Sequence, residues 1–592
     1  MNTASDNPGK QASKTGYNRF LLLVAGLGGL LYGVDVGIIA GALPYLEATS
    51  GFTPGDLSFI VAAVLLGSAI STMFAGMLAD RLGRKPMMAI SGFLFVISIP
   101  IIALSHGFWP LVSGRLLQGV SGGLIGVVVP LYLAECLSAR DRGKGTGIFQ
   151  WLLTLGIVSA AVIGMIASGK VAEVEKLGDA AKLLAAKDLA WRSIFWVSLP
   201  PGILFIIGSF MVAESPRWLF SRGLKDRART ALSRSRTEEQ VAVEMDEMEQ
   251  ISVSQSKPGS THGESLLRRK YLIPFFLACV ILACNQATGV NSILGYCVQI
   301  MLQGGLSDVQ AHRGNLILTV VNFLLTIGGV VLVDRKGRKF LLCLGTGGII
   351  VSLACVGVIF HGVEKLGIDC HEAVQAMVDK DGLSLAYNDD TAGKLLGKSK
   401  PAGPTTMFMI YSYGDYSQAT AAVRSDDKVA KPLTIQRDGS IPANRVISFF
   451  SNPFADLKAA QTAPLKIQKA LITPVPDESH GWLLAVCLFL FMGTYAIGPG
   501  VCVWLALSEL MPTRIRSNGM SIALLLNQVV STTIAGVFLP MVGKYGYSTM
   551  FFFFAGSTVI YFCTAAFFLP ETKGKTLEEI EEHFEGGKKA AN

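Results

Sequence analysis

Apolar residues along this chain gather into stretches of about twenty or more, enough to cross a ~30 Å hydrocarbon core as helix. Twelve such segments run approximately over 20–44, 57–79, 86–105, 109–134, 146–168, 193–213, 271–302, 315–333, 340–362, 481–508, 517–540 and 546–569. The first follows a polar segment carrying Lys10, Lys14 and Arg19 and lacks a small-residue cleavage site, which predicts a retained helix rather than a signal peptide. The pattern therefore predicts an all-α membrane protein with twelve transmembrane helices and both termini cytoplasmic.

A repeat organises these spans. Asp80-Arg81-Leu82-Gly83-Arg84-Lys85 recurs 254 residues later as Asp334-Arg335-Lys336-Gly337-Arg338-Lys339, after the second and eighth spans. Glu135 with Arg142, after the fourth, recurs 374 residues later as Glu509 with Arg516, after the tenth. Two pseudo-symmetric six-helix bundles follow, and the growth in offset locates an insertion between spans nine and ten. The expected organisation is a cytoplasmic segment 1–19, a bundle 20–213, and a cytoplasmic linker 214–270 of short amphipathic helices. Spans seven to nine (271–362), an extracytoplasmic insertion (363–480), spans ten to twelve (481–569) and a cytoplasmic tail (570–592) complete it. The insertion holds 13 basic and 14 acidic residues, with β-prone runs at Thr405–Tyr413 and Arg445–Phe450. That composition fits a small domain, an elaborated loop or a disordered segment. Its Gly393-Lys394-Leu395-Leu396-Gly397-Lys398-Ser399 string is one residue short of a phosphate loop.

Composition agrees: 51% of the 592 residues are hydrophobic and 16% charged, where a soluble chain would carry roughly a quarter. The formal charge of +8 divides into nine net positive charges on the expected cytoplasmic side and one net negative outside. This is the positive-inside bias, so the basicity calls for no nucleic-acid partner. Nine of ten cysteines lie in or beside apolar spans, leaving no disulfide framework. The seven histidines show no metal-site spacing, and no cofactor or enzyme activity is expected.

Without a complete nucleotide-binding loop, a protein of this architecture is expected to be a secondary transporter with a site near the midplane. Asp35 and Arg115 are the two charges inside the apolar segments, where an uncompensated charge costs at least ~2.5–3.5 kcal/mol. Both fall in the outer half at comparable depth. They read either as a static salt bridge or as a proton switch. Amides cluster in the spans at Gln150, Asn285, Gln286, Asn291, Asn322, Asn527 and Gln528. Such groups donate and accept at once, which suits hydroxyl-rich neutral ligands. Gln286 and Asn291 are five apart, and Gly289 between them predicts an unwound seventh span. Trp504 is a candidate for stacking on a sugar ring.

Taken with Glu214-Ser215-Pro216-Arg217-Trp218-Leu219, Pro570-Glu571-Thr572-Lys573-Gly574 and Asn285-Gln286-Ala287-Thr288-Gly289-Val290-Asn291, the two Asp80 and Asp334 motifs make the sequence resemble the sugar porters. These form a branch of the major facilitator superfamily, and the resemblance covers all but 363–480. It implies the major facilitator fold, with sugar bound between the bundles by Gln150, Gln286, Asn291, Asn322 and Trp504. It implies a proton-coupling role for Asp35 with Arg115, because facilitative members carry a neutral residue in place of Asp35. It also implies an inner gate network of Arg84, Glu135, Arg142, Glu214, Arg217, Arg335, Arg338, Glu509 and Arg516 that ties the bundles together when the carrier opens outward.

Departures bear on the substrate. Asn285 stands for a glutamine, Gly295 for a tyrosine, Ile157 for a second fifth-span glutamine, Gln528 for a tryptophan and Ala213 for a proline. These departures leave the substrate open among hexoses, pentoses and polyols. The resulting expectation is a monomeric plasma-membrane carrier importing a monosaccharide or polyol with a proton; the alternatives are a facilitative uniporter and a non-transporting sugar sensor.

Overall fold

Charged and capping residues, rather than hydropathy, set where the helices begin. Thr53 caps the second span, Pro54–Leu82, in a capping box with Asp56, and Ser307 with Gln310 does the same for the eighth, Asp308–Lys336. Gly83 and Gly337 then turn the chain at φ +102° and +91° into the third span, Arg84–Ala103, and the ninth, Arg338–Glu364. Both pairs keep the 254-residue offset of the repeated motif, so the repeat extends over whole helices. The computed structural model describes residues 8–137, 142–256, 269–379, 382–399, 401, 403–427, 432–441, 455–511, 516–571 and 584, with some side chains inside helices left out.

The first span is Pro8–Ser50, the fourth Phe108–Cys136 and the fifth Arg142–Glu175. The sixth is made of Ala180–Trp196 and Leu199–Met211, and the seventh of Arg269–Ala287, Val290–Gly295 and Cys297–Gln303. The tenth comprises Glu478–Ile497 and Pro499–Leu510. Arg516–Cys563 holds the last two, divided at Gly546 by a non-helical φ of 86°, and ends in a wider turn, Thr564–Phe568. Among the described residues eleven stretches are long and apolar enough to cross a membrane, and the Gly546 break divides one of them, giving the twelve spans expected.

Several helices run past the predicted segments into polar sequence. Glu47 thereby lies on the first span and Arg313 on the eighth. Asp35 and Arg115 are thus not the only charged residues on the spanning helices.

Close packing in lipid needs small residues at helix crossings, since apolar association carries little driving force there. The first and fifth spans meet in this way, Gly33 against the Leu153 carbonyl and Gly156 against that of Leu30. The buried cores divide by face. One apolar cluster, from Val34 to Leu46, Ile293 to Met301 and Phe551 to Ala555, joins both bundles near the insertion. Toward the linker, the N-terminal bundle has its own cluster around Val24, Met88, Ile125 and Phe205, and the C-terminal bundle another around Leu282, Leu341, Val503 and Tyr561. The bundles are fused at the insertion face and packed separately at the linker face.

The linker forms short helices Pro216–Ser221, Lys225–Ser233 and Glu238–Ser256. The insertion folds around its own core, which includes Tyr387, Met409 and Ile472. Its strands are β1 (Ile368–Asp369), β2 (Leu383–Leu385), β3 (Thr405–Tyr413), β4 (Tyr416–Ala419), β5 (Val423–Arg424), β6 (Leu433–Ile435) and β7 (Leu465–Pro474). They make an antiparallel sheet in the order β1-β7-β3-β4, with β5 also on β3, and a separate β2-β6 pair. The β-prone run Thr405–Tyr413 is the central strand; Arg445–Phe450 lies outside the described residues.

Candidate functional site

Glycine at position 122 of the fourth span lets the first span approach closely: a Cβ there would lie 2.9 Å from Asp35 Oδ2. Asp35 and Arg115 are both buried, with Arg115 Nη1 3.8 Å from Asp35 Oδ1. Neither Asp35 oxygen has a hydrogen-bond partner among the described residues. Arg115 instead donates from Nη1 to Gln118 Oε1 at 2.6 Å, and its guanidinium lies 5.7 Å from the Phe195 ring centre. The pair is held by charge alone. Its carboxylate keeps unused lone pairs, and a proton can occupy one without displacing a hydrogen-bond donor.

The seventh span breaks after Ala287, with Gly289 in the left-handed region at φ +79°. The break turns Gln286 and Asn291 toward each other: Asn291 Nδ2 donates to Gln286 Oε1 at 2.9 Å and to Ser531 Oγ of the eleventh span at 2.7 Å. Asn285 points elsewhere, donating to the Tyr495 hydroxyl at 3.4 Å. Asn527 is buried with Oδ1 unpaired among the described residues, and Asn322 is also buried. Gln150 is half-buried. Its neighbour Trp151 stacks on Phe323, beside Asn322, with ring centres 5.5 Å apart, so the fifth and eighth spans face one another there. The Trp504 side chain lies outside the described residues.

The contacts that join the bundles at the insertion face include groups the sequence did not single out. The Tyr45 hydroxyl donates to Asp308 Oδ2 at 2.7 Å, and Gln299 Nε2 to Glu47 Oε2 at 2.5 Å. Buried His312 stacks on Tyr45, ring centres 5.5 Å apart, with Nε2 3.3 Å from the Gly41 carbonyl. The Tyr296 hydroxyl lies 3.3 Å from Ser58 Oγ of the second span and donates to the Ala535 carbonyl of its own bundle at 3.0 Å, and Gln528 Nε2 reaches Ser68 Oγ across the bundles at 3.2 Å. For Tyr45, Glu47, Gln299, Asp308 and His312 the one advance signal was a place on span ends, shared with ordinary interfacial residues, whereas Gln528 already stood among the span amides.

At the linker face, Glu214 accepts from the Arg84 and Lys85 backbone N–H groups at 3.0 and 3.1 Å, and closes the N-terminus of the third span. Arg84 Nη2 pairs with Glu135 and Asp80, each at 2.8 Å, and Glu135 also accepts from Ser215. These contacts stay within the N-terminal bundle. Glu571 repeats the arrangement in the other half, taking the N–H groups of Arg338 and Lys339 at 3.1 and 3.2 Å. Arg217 and Arg335 are exposed. The side chains of Arg142, Glu509 and Arg516 lie outside the described residues. Among the described residues no three His, Cys, Asp or Glu side chains converge as metal ligands would.

Residues 21–376 and 462–584 match the model of the family described as sugar (and other) transporters, which leaves most of the insertion unmatched. The chain is 24% identical to the glucose transporter GlcP of Staphylococcus epidermidis, over 95% of this chain and 97% of that protein. It is 25% identical to the major myo-inositol transporter IolT of Bacillus subtilis (97% and 96%) and 24% to the galactose-proton symporter of Escherichia coli (96% and 95%). A partially occluded, inward-open structure of the xylose transporter XylE from E. coli superposes with TM-score 0.63 at 20% identity, over 95% of this chain and all of that one. That likeness bears on the fold.

Proposed function

Because the chain belongs to the sugar transporter family of the major facilitator superfamily, as a multi-pass membrane carrier and not an enzyme, we propose that it imports a monosaccharide or polyol together with a proton. The observation that carries the coupling is Asp35: a buried carboxylate, paired by charge with Arg115 and holding no hydrogen bond among the described residues. Protonation from outside removes the attraction and leaves Arg115 with Gln118 and Phe195. The first and fourth spans can then shift relative to each other, and the bundles exchange between two nearly equal states. A facilitative carrier would gain nothing from a costly buried acid at this position. Named relatives that move protons with galactose, and one that moves myo-inositol, support the same reading.

Sugar hydroxyls would meet Gln286, Asn291 and Ser531 at the seventh-span break, with Gln150, Asn285, Asn322, Trp504 and Asn527 around them. The fused insertion face would be the outer gate, in a state whose solute path leads inward. The carboxylates at Glu135, Glu214 and Glu509, with Arg84, Arg142, Arg217, Arg335, Arg338 and Arg516, would form the inner gate that closes when the outer one opens. Ion pairs at such a wet surface are individually modest, and their sum biases the two states. The protein would sit in the plasma membrane as a monomer, termini inside and 363–480 outside.

The test starts from a thermal-shift screen of hexoses, pentoses and inositols on purified protein. Uptake into proteoliposomes of the sugar so identified separates the readings. Asp35→Asn should abolish uphill accumulation and retain counterflow exchange; accumulation by Asp35→Asn equal to wild type would remove the coupling assignment. Binding with no uptake by wild type would favour a sensor.

A further inference from the structure

His312 belongs to the C-terminal bundle, yet its ring is seated in the N-terminal one. It enters a slot between the first and fifth spans that two glycines leave open: a Cβ at Gly164 would lie 3.3 Å from the His312 ring, and one at Gly41 3.9 Å. The side chain is 1% exposed. Nδ1 lies 2.9 Å from the Asp308 carbonyl, and Nε2 3.3 Å from the Gly41 carbonyl of the other bundle. Both acceptors lack a proton. A neutral imidazole has one N–H and would turn a lone pair toward one of these oxygens, whereas an imidazolium donates to both. The counter-charge is present, with Asp308 Oδ1 3.5 Å from Nδ1 and Oδ2 held by the Tyr45 hydroxyl.

From this geometry we propose that His312 is a second proton-binding site, which takes up a proton when the insertion face closes and releases it when that face opens. Opening withdraws the ring from the slot, so the Gly41 acceptor and the Tyr45 contact are lost together. Charged and titratable groups on the elements packed around the ring are mostly acidic or remote. On its own helix they are Asp308 and exposed Arg313; on the first span, Tyr45 and Glu47. On the fifth they are Lys170, Glu173 and Glu175, all exposed, with Glu175 within electrostatic reach of Tyr45. On the tenth they are exposed Glu478 and His480. The slot itself presents no cation to the ring among the described residues. Asp35 lies six residues before Gly41 on the same helix, so protonation at either site acts on one rigid element.

The proposal rests on the two-state carrier reading above, and the experiment separates failure of one from failure of the other. Spin labels at Leu177→Cys and Leu366→Cys, two exposed positions at the insertion face, report the distance between bundles. Exposed Cys355 and the partly exposed cysteines 284, 343, 487 and 563 are replaced by Ala. Double electron–electron resonance in liposomes from pH 5.5 to 8.5 is read in the full chain and again with Asp35→Asn, to remove that acid's own response. The closed population should fall at least about threefold between pH 5.5 and 8.5, in both backgrounds. His312→Gln should abolish this dependence, and Asp308→Asn, which removes the counter-charge beside Nδ1, should weaken it. An unchanged pH response in His312→Gln overturns the proposal and leaves the carrier reading intact. A distance that responds to neither pH nor sugar counts against both. Should His312→Gln fail to fold, a pH response in Asp308→Asn as large as in the full chain overturns the proposal.

Discussion

Breaking the Asp35–Arg115 pair from either side should be far more costly than removing it whole. At 3.8 Å and an effective dielectric of about 20, the Coulomb attraction is about 4 kcal/mol. Asp35→Asn keeps the shape, which matters because the site is tight: even a Cβ at Gly122 would lie 2.9 Å from Oδ2. It strands a buried guanidinium with one hydrogen bond, to Gln118, and should cost about 3–5 kcal/mol. Arg115→Gln strands the carboxylate, at similar cost. The double variant has neither charge, so its destabilisation should fall well below the sum, with a coupling energy of about 3–4 kcal/mol. The assay is reversible unfolding in mixed micelles with rising dodecyl sulfate, followed by tryptophan fluorescence for wild type, both single variants and the double. A coupling energy under about 0.5 kcal/mol, within the additivity of independent sites, would refute the electrostatic account of the pair.

Three further outcomes follow from local geometry. Gly289→Ala must hold alanine at φ +79° and place a Cβ 2.5 Å from the Phe554 ring; the left-handed backbone alone costs about 1–2 kcal/mol, so sugar affinity should fall on the order of tenfold. Unchanged affinity by titration calorimetry would mean that the break does not position Gln286 and Asn291. Glu214→Gln removes a charged cap from two backbone N–H groups and should destabilise by about 1–2 kcal/mol, with Glu571→Gln matching it in the second half; equal melting temperatures for wild type and variants would contradict the capping role. The Cys370 thiol is pushed up to about 11, first by burial and then by Asp369 beside it, and it donates to the Ala470 carbonyl at 3.2 Å. At pH 8 it should resist iodoacetamide until the insertion unfolds, whereas rapid labelling found by mass spectrometry would show that this core is open.

Hydropathy located all twelve spans because each carries enough apolar length, but it marks hydrocarbon rather than hydrogen-bonded helix. The first and fifth helices therefore extend to Pro8–Ser50 and Arg142–Glu175, well into polar sequence. The 254-residue repeat was legible in its charged motif, and the capping boxes at Thr53 and Ser307 show that it governs helix starts as well. Asp35 and Arg115 stood out because a charge inside an apolar run has few explanations, and the seventh-span break was visible in Gly289. His312, Gln299 and Tyr45 were not visible as a group. Each is an unremarkable residue near a span end, and their roles arise only when helices some 270 positions apart come together. The strand Thr405–Tyr413 was readable from its own residues, whereas its pairing with Leu465–Pro474 depends on a partner more than fifty residues away.

Coupled movement of sugar and proton is the central claim, and a pH electrode can read it without any energised gradient. With de-energised proteoliposomes in weakly buffered medium, adding the sugar identified by thermal shift should make the medium alkaline, as each inward sugar carries a proton. Asp35→Asn vesicles preloaded with the unlabelled sugar should exchange it for labelled sugar with no alkalinisation. Sugar entry into wild-type vesicles with no proton movement would contradict the account and make the protein a uniporter.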